Sequence, residues 1–157
     1  MKHSAALLTV SLLLFAYGIA ASGSGPGTVT RVTLPSSGAG FSRNIDIWLP
    51  DNYDTAKKYA VIYMHDGQML FDSTSTWNRQ EWGADETVAR LMAEDSIKPC
   101  IIVGVWNREK YRYTEYFPEK ALNFLPRRKQ AKMIRKAMMG QALGDSYLRY
   151  LVNDVKP

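Results

Sequence analysis

The chain has 157 residues, of which 46% are hydrophobic and 22% charged, and 20 Lys and Arg residues against 15 Asp and Glu give it a net charge of +5. This length allows one domain with a hydrophobic core, and the composition favours neither a disordered nor a fibrous protein. The modest positive charge identifies no partner. Cys100 is the only cysteine, which excludes an intrachain disulfide, and the apolar residues after it predict a buried, unreactive thiol.

The N-terminus has the organisation of a secretory signal peptide over residues 1–22. A basic start at Lys2 precedes an uncharged run over residues 5–19 and a group of small residues. This run is shorter than the roughly 20 apolar residues that a membrane-spanning helix needs, although an uncleaved anchor is the alternative. We therefore expect export to the periplasm or medium, with no membrane attachment after cleavage. The Gly, Ser and Pro residues of 23–27 predict a flexible leader.

Four segments have the composition of β-strands. Residues 28–34 and 45–49 predict two neighbouring strands, because the residues between them favour a turn. The second alternates apolar and polar residues, which indicates a strand with one face more buried than the other. Residues 59–64 are apolar nearly throughout and predict a central strand buried on both faces, and residues 101–106 predict another buried strand.

Two further segments have apolar residues at helical spacing. Residues 77–94 contain one such pattern, with acidic residues in an early turn, and residues 144–157 contain the other. The alternation of strands and helices predicts an α/β fold with a mostly parallel sheet and crossover helices.

The most informative stretch is Tyr63–Asp72, YMHDGQMLFD, followed by Trp82–Glu86, WGADE. It resembles the putative-esterase family of α/β-hydrolases, which includes enterochelin esterases, feruloyl-type esterases and S-formylglutathione hydrolases. The resemblance covers residues 28–157 and implies the N-terminal part of an α/β-hydrolase domain. Further matches occur in the same order at Ile45–Pro50, Asn52, Tyr53, Ile102–Val105, Asn107, Arg108, Arg112, Glu115, Tyr116, Pro118 and Gly144–Pro157.

The loop after the strand at residues 59–64 is the candidate binding site. A chain leaving a buried parallel strand emerges at the carboxyl edge of the sheet, where ligands bind in open α/β folds. We expect Gly67 to allow a tight turn and the close approach of a substrate. The resemblance implies that this loop supplies one oxyanion-hole N–H, from Gly67 or, preferably, Gln68. A plain strand-to-loop turn is the alternative.

Five other residues are candidates for shaping the site. His65 and Asp66 are adjacent on an extended chain and so point to opposite sides, which disfavours a catalytic pair and favours a loop-shaping role. Arg112, Glu115 and Tyr116 match a family loop near the rim of the site, but a surface ion pair explains them equally well.

The sequence lacks the other half of a serine esterase site. No serine has glycines at both flanking positions of a Gly-x-Ser-x-Gly elbow, and the only histidines are His3 and His65. The resemblance places the nucleophile strand soon after Pro157. We therefore predict no catalytic residue in this chain, with the nucleophile, acid and histidine beyond Pro157, so that the fold is truncated before the nucleophile elbow.

Other chemistries find little support. The sequence has no phosphate-binding loop and no paired Cys and His spacing for zinc, so no cofactor and no metal are predicted. The segment from Lys120 to Lys136 is basic, and no acidic residue follows before Gly144. We interpret it as a solvated insertion helix or loop, with contact to anionic lipid, glycan or nucleic acid as the alternative. Its basic residues are Lys120, Arg127, Arg128, Lys129, Lys132, Arg135 and Lys136.

The functional hypothesis is a fragment of an exported serine carboxylic-ester hydrolase that forms an acyl-enzyme, inactive by itself. The substrate of the full-length parent is an ester of unknown identity, for which plant-wall and siderophore esters are candidates, and no nucleic-acid partner is expected. The alternative is a non-catalytic α/β-hydrolase remnant that binds a glycan or a protein.

Overall fold

A computed structural model of the protein describes residues 25–38 and 40–156. The predicted signal peptide and the first two leader residues lie outside the described residues. Pro26 and Gly27 of the leader contact the body of the domain: the Trp48 indole N–H donates to the Pro26 carbonyl at 2.7 Å, and the Gly27 N–H donates to Asp51 at 3.0 Å. Within the described ranges, none of the helices combines the length and apolar character that a bilayer crossing requires.

The centre of the domain is a four-stranded sheet with the spatial order β1-β2-β4-β3. The interior strands are β2 and β4, and β3 lies at one edge of the described sheet. The strands are β1 (Thr28–Pro35), β2 (Ser42–Leu49), β3 (Ala60–His65) and β4 (Cys100–Val105).

The strand pairings are mixed. β1 and β2 form an antiparallel hairpin with Val32 opposite Ile45, and β2 is also antiparallel to β4. β3 and β4 are parallel, with His65 opposite Val105. These pairings confirm the α/β class, the neighbouring N-terminal strands and the parallel pair. The expected predominance of parallel pairing is not found in the described sheet, where one pairing of three is parallel.

Helices connect and cover the strands. The predicted helix within residues 77–94 is confirmed as the crossover between β3 and β4, and its acidic first turn suits the positive end of the helix dipole. The predicted C-terminal helix is also confirmed and ends in a wider π-type turn, Leu151–Val155. The helices are α1 (Ala84–Ala93), α2 (Arg112–Tyr116), α3 (Arg127–Ala137) and α4 (Gly144–Tyr150).

Both faces of the interior strands are buried. Trp48 and Ile102 pack with the residues beneath α1, while Ile45 and Val105 pack with α4 on the opposite face. The expectation that only one face of β2 is buried is therefore wrong. Asp46, on the α1 side, is 2% exposed.

Two partners allow the Asp46 carboxylate to be buried. It accepts hydrogen bonds from Arg31 at 2.7 and 2.9 Å and from the Trp106 indole N–H at 2.8 Å. A buried charge is tolerated when it is paired in this way.

The prediction that β3 is a central strand buried on both faces is also wrong for the described residues. β3 pairs only with β4 there, and Val61 and Tyr63 are 42% and 41% exposed. Cys100, at the start of β4, is buried as predicted, and this burial raises the pKa of its thiol.

Candidate functional site

The loop after β3 lies at the carboxyl edge of the parallel pair, as the sequence predicts. His65 ends the strand, and Asp66 adopts a left-handed conformation with φ 55° and ψ 44°. A 3₁₀ turn, Gly67–Met69, follows, in which the Met69 N–H donates to the Asp66 carbonyl at 2.8 Å. Leu70 is completely buried and anchors the end of the turn in the core.

Gly67 is required by a close backbone approach rather than by a left-handed turn. A Cβ at this position would lie 2.5 Å from the backbone C and O atoms of Gly104 in β4 and 2.9 Å from the Trp106 ring. The residue with positive φ in this loop is Asp66. The expected tight turn therefore depends on Asp66, whereas Gly67 lets the loop lie against β4.

Two backbone amides lie at the start of this turn, that of the buried Gly67 and that of the half-buried Gln68. Gly67 and Gln68 open the 3₁₀ turn, where backbone N–H groups have no partner within the turn. Among the described residues, no hydrogen bond from either amide is found. The Gln68 side chain accepts a hydrogen bond from the Asn107 N–H at 3.2 Å, which ties the loop to the segment after β4.

Asp66 is the centre of a network that fixes the loop. Arg112 donates to both carboxylate oxygens, at 2.9 and 2.6 Å, while Asn107 and the Tyr116 hydroxyl donate to Oδ1 at 2.7 and 3.0 Å. The Asp66 N–H also donates to the Tyr116 hydroxyl at 3.3 Å. Burial opposes ionisation, but the hydrogen bonds from Arg112, Asn107 and Tyr116 outweigh it and lower the pKa of Asp66.

Three aromatic rings, of His65, Tyr116 and Tyr147, pack against one another next to this network. His65 Nδ1 and the Tyr147 hydroxyl are hydrogen-bonded at 2.7 Å, and the His65 ring is 5.1 Å from that of Tyr116. Burial and the charge of Asp66 raise the pKa of Tyr116 to about 12, and burial also raises the pKa of Tyr147. Both hydroxyls therefore stay protonated. His65 is hydrogen-bonded to Tyr147 and Asp66 to Tyr116, and the His65 ring also contacts Tyr116.

Glu115 belongs to a second, buried cluster. Its Oε1 accepts hydrogen bonds from Arg43 at 2.9 Å and from Arg108 at 2.6 Å, and the Glu115 and Arg43 side chains are each 1% exposed. The Arg43 guanidinium also lies 4.8 Å from the centre of the Tyr147 ring. The structure thus separates the three residues of the predicted rim: Arg112 and Tyr116 bind Asp66, whereas Glu115 binds two arginines.

Two members of these networks were not predicted from the sequence. Arg43 lies on β2 and Tyr147 on α4. Each is distant in the chain from the residue that it contacts, Glu115 for Arg43 and His65 for Tyr147. Asn107 and Arg108 belonged to the resemblance but had no assigned role. Their position directly after β4 was the available signal, since the carboxyl ends of parallel strands meet at one edge of the sheet.

A small groove opens beside the loop on the α4 side of β3. Its volume is about 200 Å³, and no serine contributes to its lining. The residues that line it are Tyr63, Met64, His65, Val105, Leu151, Val152 and Lys156. The site geometry thus offers hydrogen-bond donors and a shallow apolar surface.

Comparison with known proteins gives one family and several structures. A family profile described as "Putative esterase" matches residues 36–144. An IroE-like serine hydrolase from Shewanella oneidensis is 19% identical with a TM-score of 0.53, and the BES protein from Bacillus cereus is 17% identical with a TM-score of 0.51. Each alignment covers 82% of this chain.

A third structure, a ferulic acid esterase from Anaeromyces mucronatus, is 23% identical over 81% of the chain, with a TM-score of 0.46. The chain spans 37%, 44% and 40% of the lengths of these three structures, respectively.

Proposed function

The chain belongs to the putative-esterase family, and on this premise we propose that it supplies the oxyanion-binding part of a serine carboxylic-ester hydrolase site. In this proposal the nucleophile, the acid and the catalytic histidine belong to sequence beyond residue 157. The absence of a Gly-x-Ser-x-Gly elbow in the sequence supports this. So does the fact that the chain spans 37% of the IroE-like hydrolase and 44% of the BES protein.

The observation that carries the proposal is the pair of unoccupied amides at Gly67 and Gln68. When a serine hydroxyl attacks an ester carbonyl, the carbonyl oxygen gains negative charge in the tetrahedral intermediate. An N–H already oriented toward that oxygen stabilises the charge without reorganisation during the reaction. The Asp66 network holds the loop and Gly67 lets it lie against β4, so Gln68 is the proposed donor.

In this mechanism His65, Asp66, Arg112 and Tyr116 position the loop and do not exchange protons with the substrate. Arg112 neutralises Asp66, and the Tyr116 hydroxyl contacts both the carboxylate and the N–H of that residue. Glu115 supports the same edge by holding Arg108. The bond to the leaving alcohol breaks as the intermediate collapses to an acyl-enzyme.

The test uses the chain extended by its downstream coding sequence. We expect the 157-residue chain to leave p-nitrophenyl acetate hydrolysis at the uncatalysed rate and the extended protein to accelerate it. In the extended protein, Gln68→Pro deletes the proposed donor N–H and should lower kcat by about 100-fold or more.

Gln68→Ala is the matched control, because it removes the same side chain and keeps the N–H. Equal loss in both variants, at unchanged melting temperature, would assign the effect to the side chain and reject the amide as donor. Activity of the 157-residue chain alone would reject the proposed division of the site.

We also propose that the protein is exported. Lys2, the uncharged run over residues 5–19 and the small residues after it support a cleaved signal peptide. Fractionation of cells expressing the chain with a C-terminal tag would test this, with a shortened product outside the cytoplasm as the expected result. A full-length product retained in the cytoplasm would contradict it.

The non-catalytic alternative is favoured by one observation near the loop. Trp82 is 54% exposed, and its backbone N–H donates to the Met69 carbonyl at 2.9 Å. An exposed indole is suited to stacking on a sugar ring. An extended protein that binds a soluble glycan through Trp82 but hydrolyses no ester would establish this alternative.

A further inference from the structure

Helix α3 carries a cationic face that the fold does not use. Five of the six exposed basic side chains of the helix lie on this face. At 3.6 residues per turn they fall within an arc of about 120°, opposite the half-buried residues Gln130, Met133 and Ile134. We call this surface the α3 cationic face; it consists of Arg128, Lys129, Lys132, Arg135 and Lys136.

None of these five cations forms an ion pair within the described residues. The first turn of α3 contains no acidic residue, and its basic residues lie at the positive end of the helix dipole. Like charges also lie four residues apart, at Arg128, Lys132 and Lys136, which destabilises a helix. Both features oppose helix stability, although Arg135 and Lys136 suit the negative end of the dipole in the last turn. The cations of the first turn and the row of like charges are therefore better explained by an external anionic partner than by folding.

Apolar side chains flank the helix in the sequence. Phe124, shortly before it, is 89% exposed, and Met139, shortly after it, is 51% exposed. No residue of α3 itself is fully buried, so the helix lies on the surface of the domain. A bilayer interface accepts cationic and apolar side chains together, because phosphates and acyl chains lie within a few ångströms of each other.

We propose that the α3 cationic face docks the protein on a membrane surface rich in anionic phospholipid, with Phe124 entering the interface. The headgroup phosphates would neutralise the unpaired cations. A nucleic acid would also neutralise them, but a duplex provides no apolar layer for Phe124 and Met139. This proposal departs from the expectation that the body of the protein binds no membrane, and it does not depend on esterase activity.

The test is binding of the full chain to vesicles of phosphatidylcholine with one third phosphatidylglycerol, compared with phosphatidylcholine alone. The combined variant Arg128→Gln, Lys132→Gln, Lys136→Gln removes three charges and keeps good helix-forming residues. We expect its binding to the anionic vesicles to be about 100-fold weaker. Phe124→Ser should weaken binding about tenfold, because the exposed ring contributes only in the bound state.

The matched control is Lys57→Gln, Lys58→Gln, Lys98→Gln, which removes three exposed cations elsewhere and should bind within about twofold of the unchanged protein. All variants keep residues 1–24, so a difference between the triple variants reports on α3. An equal loss of vesicle binding in the two triple variants would show that binding depends only on net charge, and this would overturn the proposal. Unchanged binding after the α3 substitutions would also overturn it, as would binding to duplex DNA but not to vesicles.

Discussion

The Asp66 and Glu115 networks and helix α3 are both rich in charge, but they use it in opposite ways. In the networks three arginines face two carboxylates, and both carboxylate side chains are at most 8% exposed. The five cations of the α3 cationic face form no ion pair with a carboxylate within the described residues. The charges of the networks therefore hold the fold at the loop, whereas those of α3 remain available for a partner.

The difference should appear in stability measurements. A buried ion that loses its partner keeps its desolvation cost, so the free energy of unfolding falls strongly. An exposed ion is solvated and screened by salt, so its removal changes stability little. Substitutions in the networks should destabilise the protein, while those in α3 should leave stability unchanged or raise it.

The largest effect is expected for Glu115→Gln. The substitution leaves the buried Arg43 and its neighbour Arg108 without a counter-charge, which should reduce the free energy of unfolding by about 3 kcal/mol or more. Urea unfolding followed by tryptophan fluorescence measures this. Glu94→Gln is the control, because Glu94 forms an exposed pair with Arg90 at 3.2 Å and should cost less than about 0.5 kcal/mol. Similar small losses in both variants would contradict the role of Glu115.

The next largest effect is expected for Gly67→Ala. The added methyl group would meet the Gly104 backbone at 2.5 Å, so the loop or β4 must move, at a cost of roughly 2 to 3 kcal/mol. Gly38→Ala is the control, since a Cβ there has no neighbour within 4 Å and the substitution should be neutral or slightly stabilising. Equal melting temperatures of the two variants would show that the loop does not press on β4.

A smaller, pH-dependent effect is expected for Asp66→Asn. The pKa of Asp66 is lower in the folded protein than its unfolded value of about 3.9. Its stabilisation is therefore complete above that value and is lost as the pH falls through the folded pKa. We expect the variant to be about 1 kcal/mol less stable at neutral pH, because the half-exposed Arg112 is screened by solvent.

Urea unfolding at several pH values measures this dependence, and the deficit should shrink in strong acid. The control is Asp95→Asn, at an exposed residue that makes no ion pair in the described part of the chain. Its stability should match that of the unchanged protein throughout. A pH-independent deficit for Asp66→Asn would indicate that packing, not charge, is lost.

The sequence predicted much of the fold because continuous apolar runs mark buried strands. It predicted the parallel pairing of β3 and β4 and the position of the Gly67 loop at their carboxyl edge. It misjudged β2 because Asp46, polar in the pattern, is buried by pairing with Arg31 and Trp106. Such pairing depends on residues 15 and 60 positions away, which local alternation does not contain.

The site was only partly predictable for the same reason. The resemblance identified the loop, but not which residues hold it. Tyr147 reaches His65 across 82 residues and Arg43 reaches Glu115 across 72, so both contacts depend on how α4 and α2 pack on the sheet. The left-handed conformation of Asp66 was also not predicted, because a glycine, such as the neighbouring Gly67, adopts that conformation more readily than an aspartate does.

The smallest effect, and the one of opposite sign, is expected for Lys129→Glu in the first turn of α3. A carboxylate at this end of the helix interacts favourably with the dipole, and it also attracts Lys132 three residues later. We expect the free energy of unfolding to rise by about 0.5 kcal/mol, measured as a higher urea midpoint.

Lys98→Glu makes the same charge change at an exposed position outside any helix and should leave the midpoint unchanged. If Lys129→Glu instead lowered the midpoint, the lysine would be serving the fold, and the contrast with the Asp66 network would fail. If stability rises while binding to anionic vesicles falls, the cation is retained at the expense of folding. A lysine that weakens its own helix but strengthens binding to an anionic membrane is best explained by that membrane. The paired charges around the loop, in contrast, stabilise the fold itself.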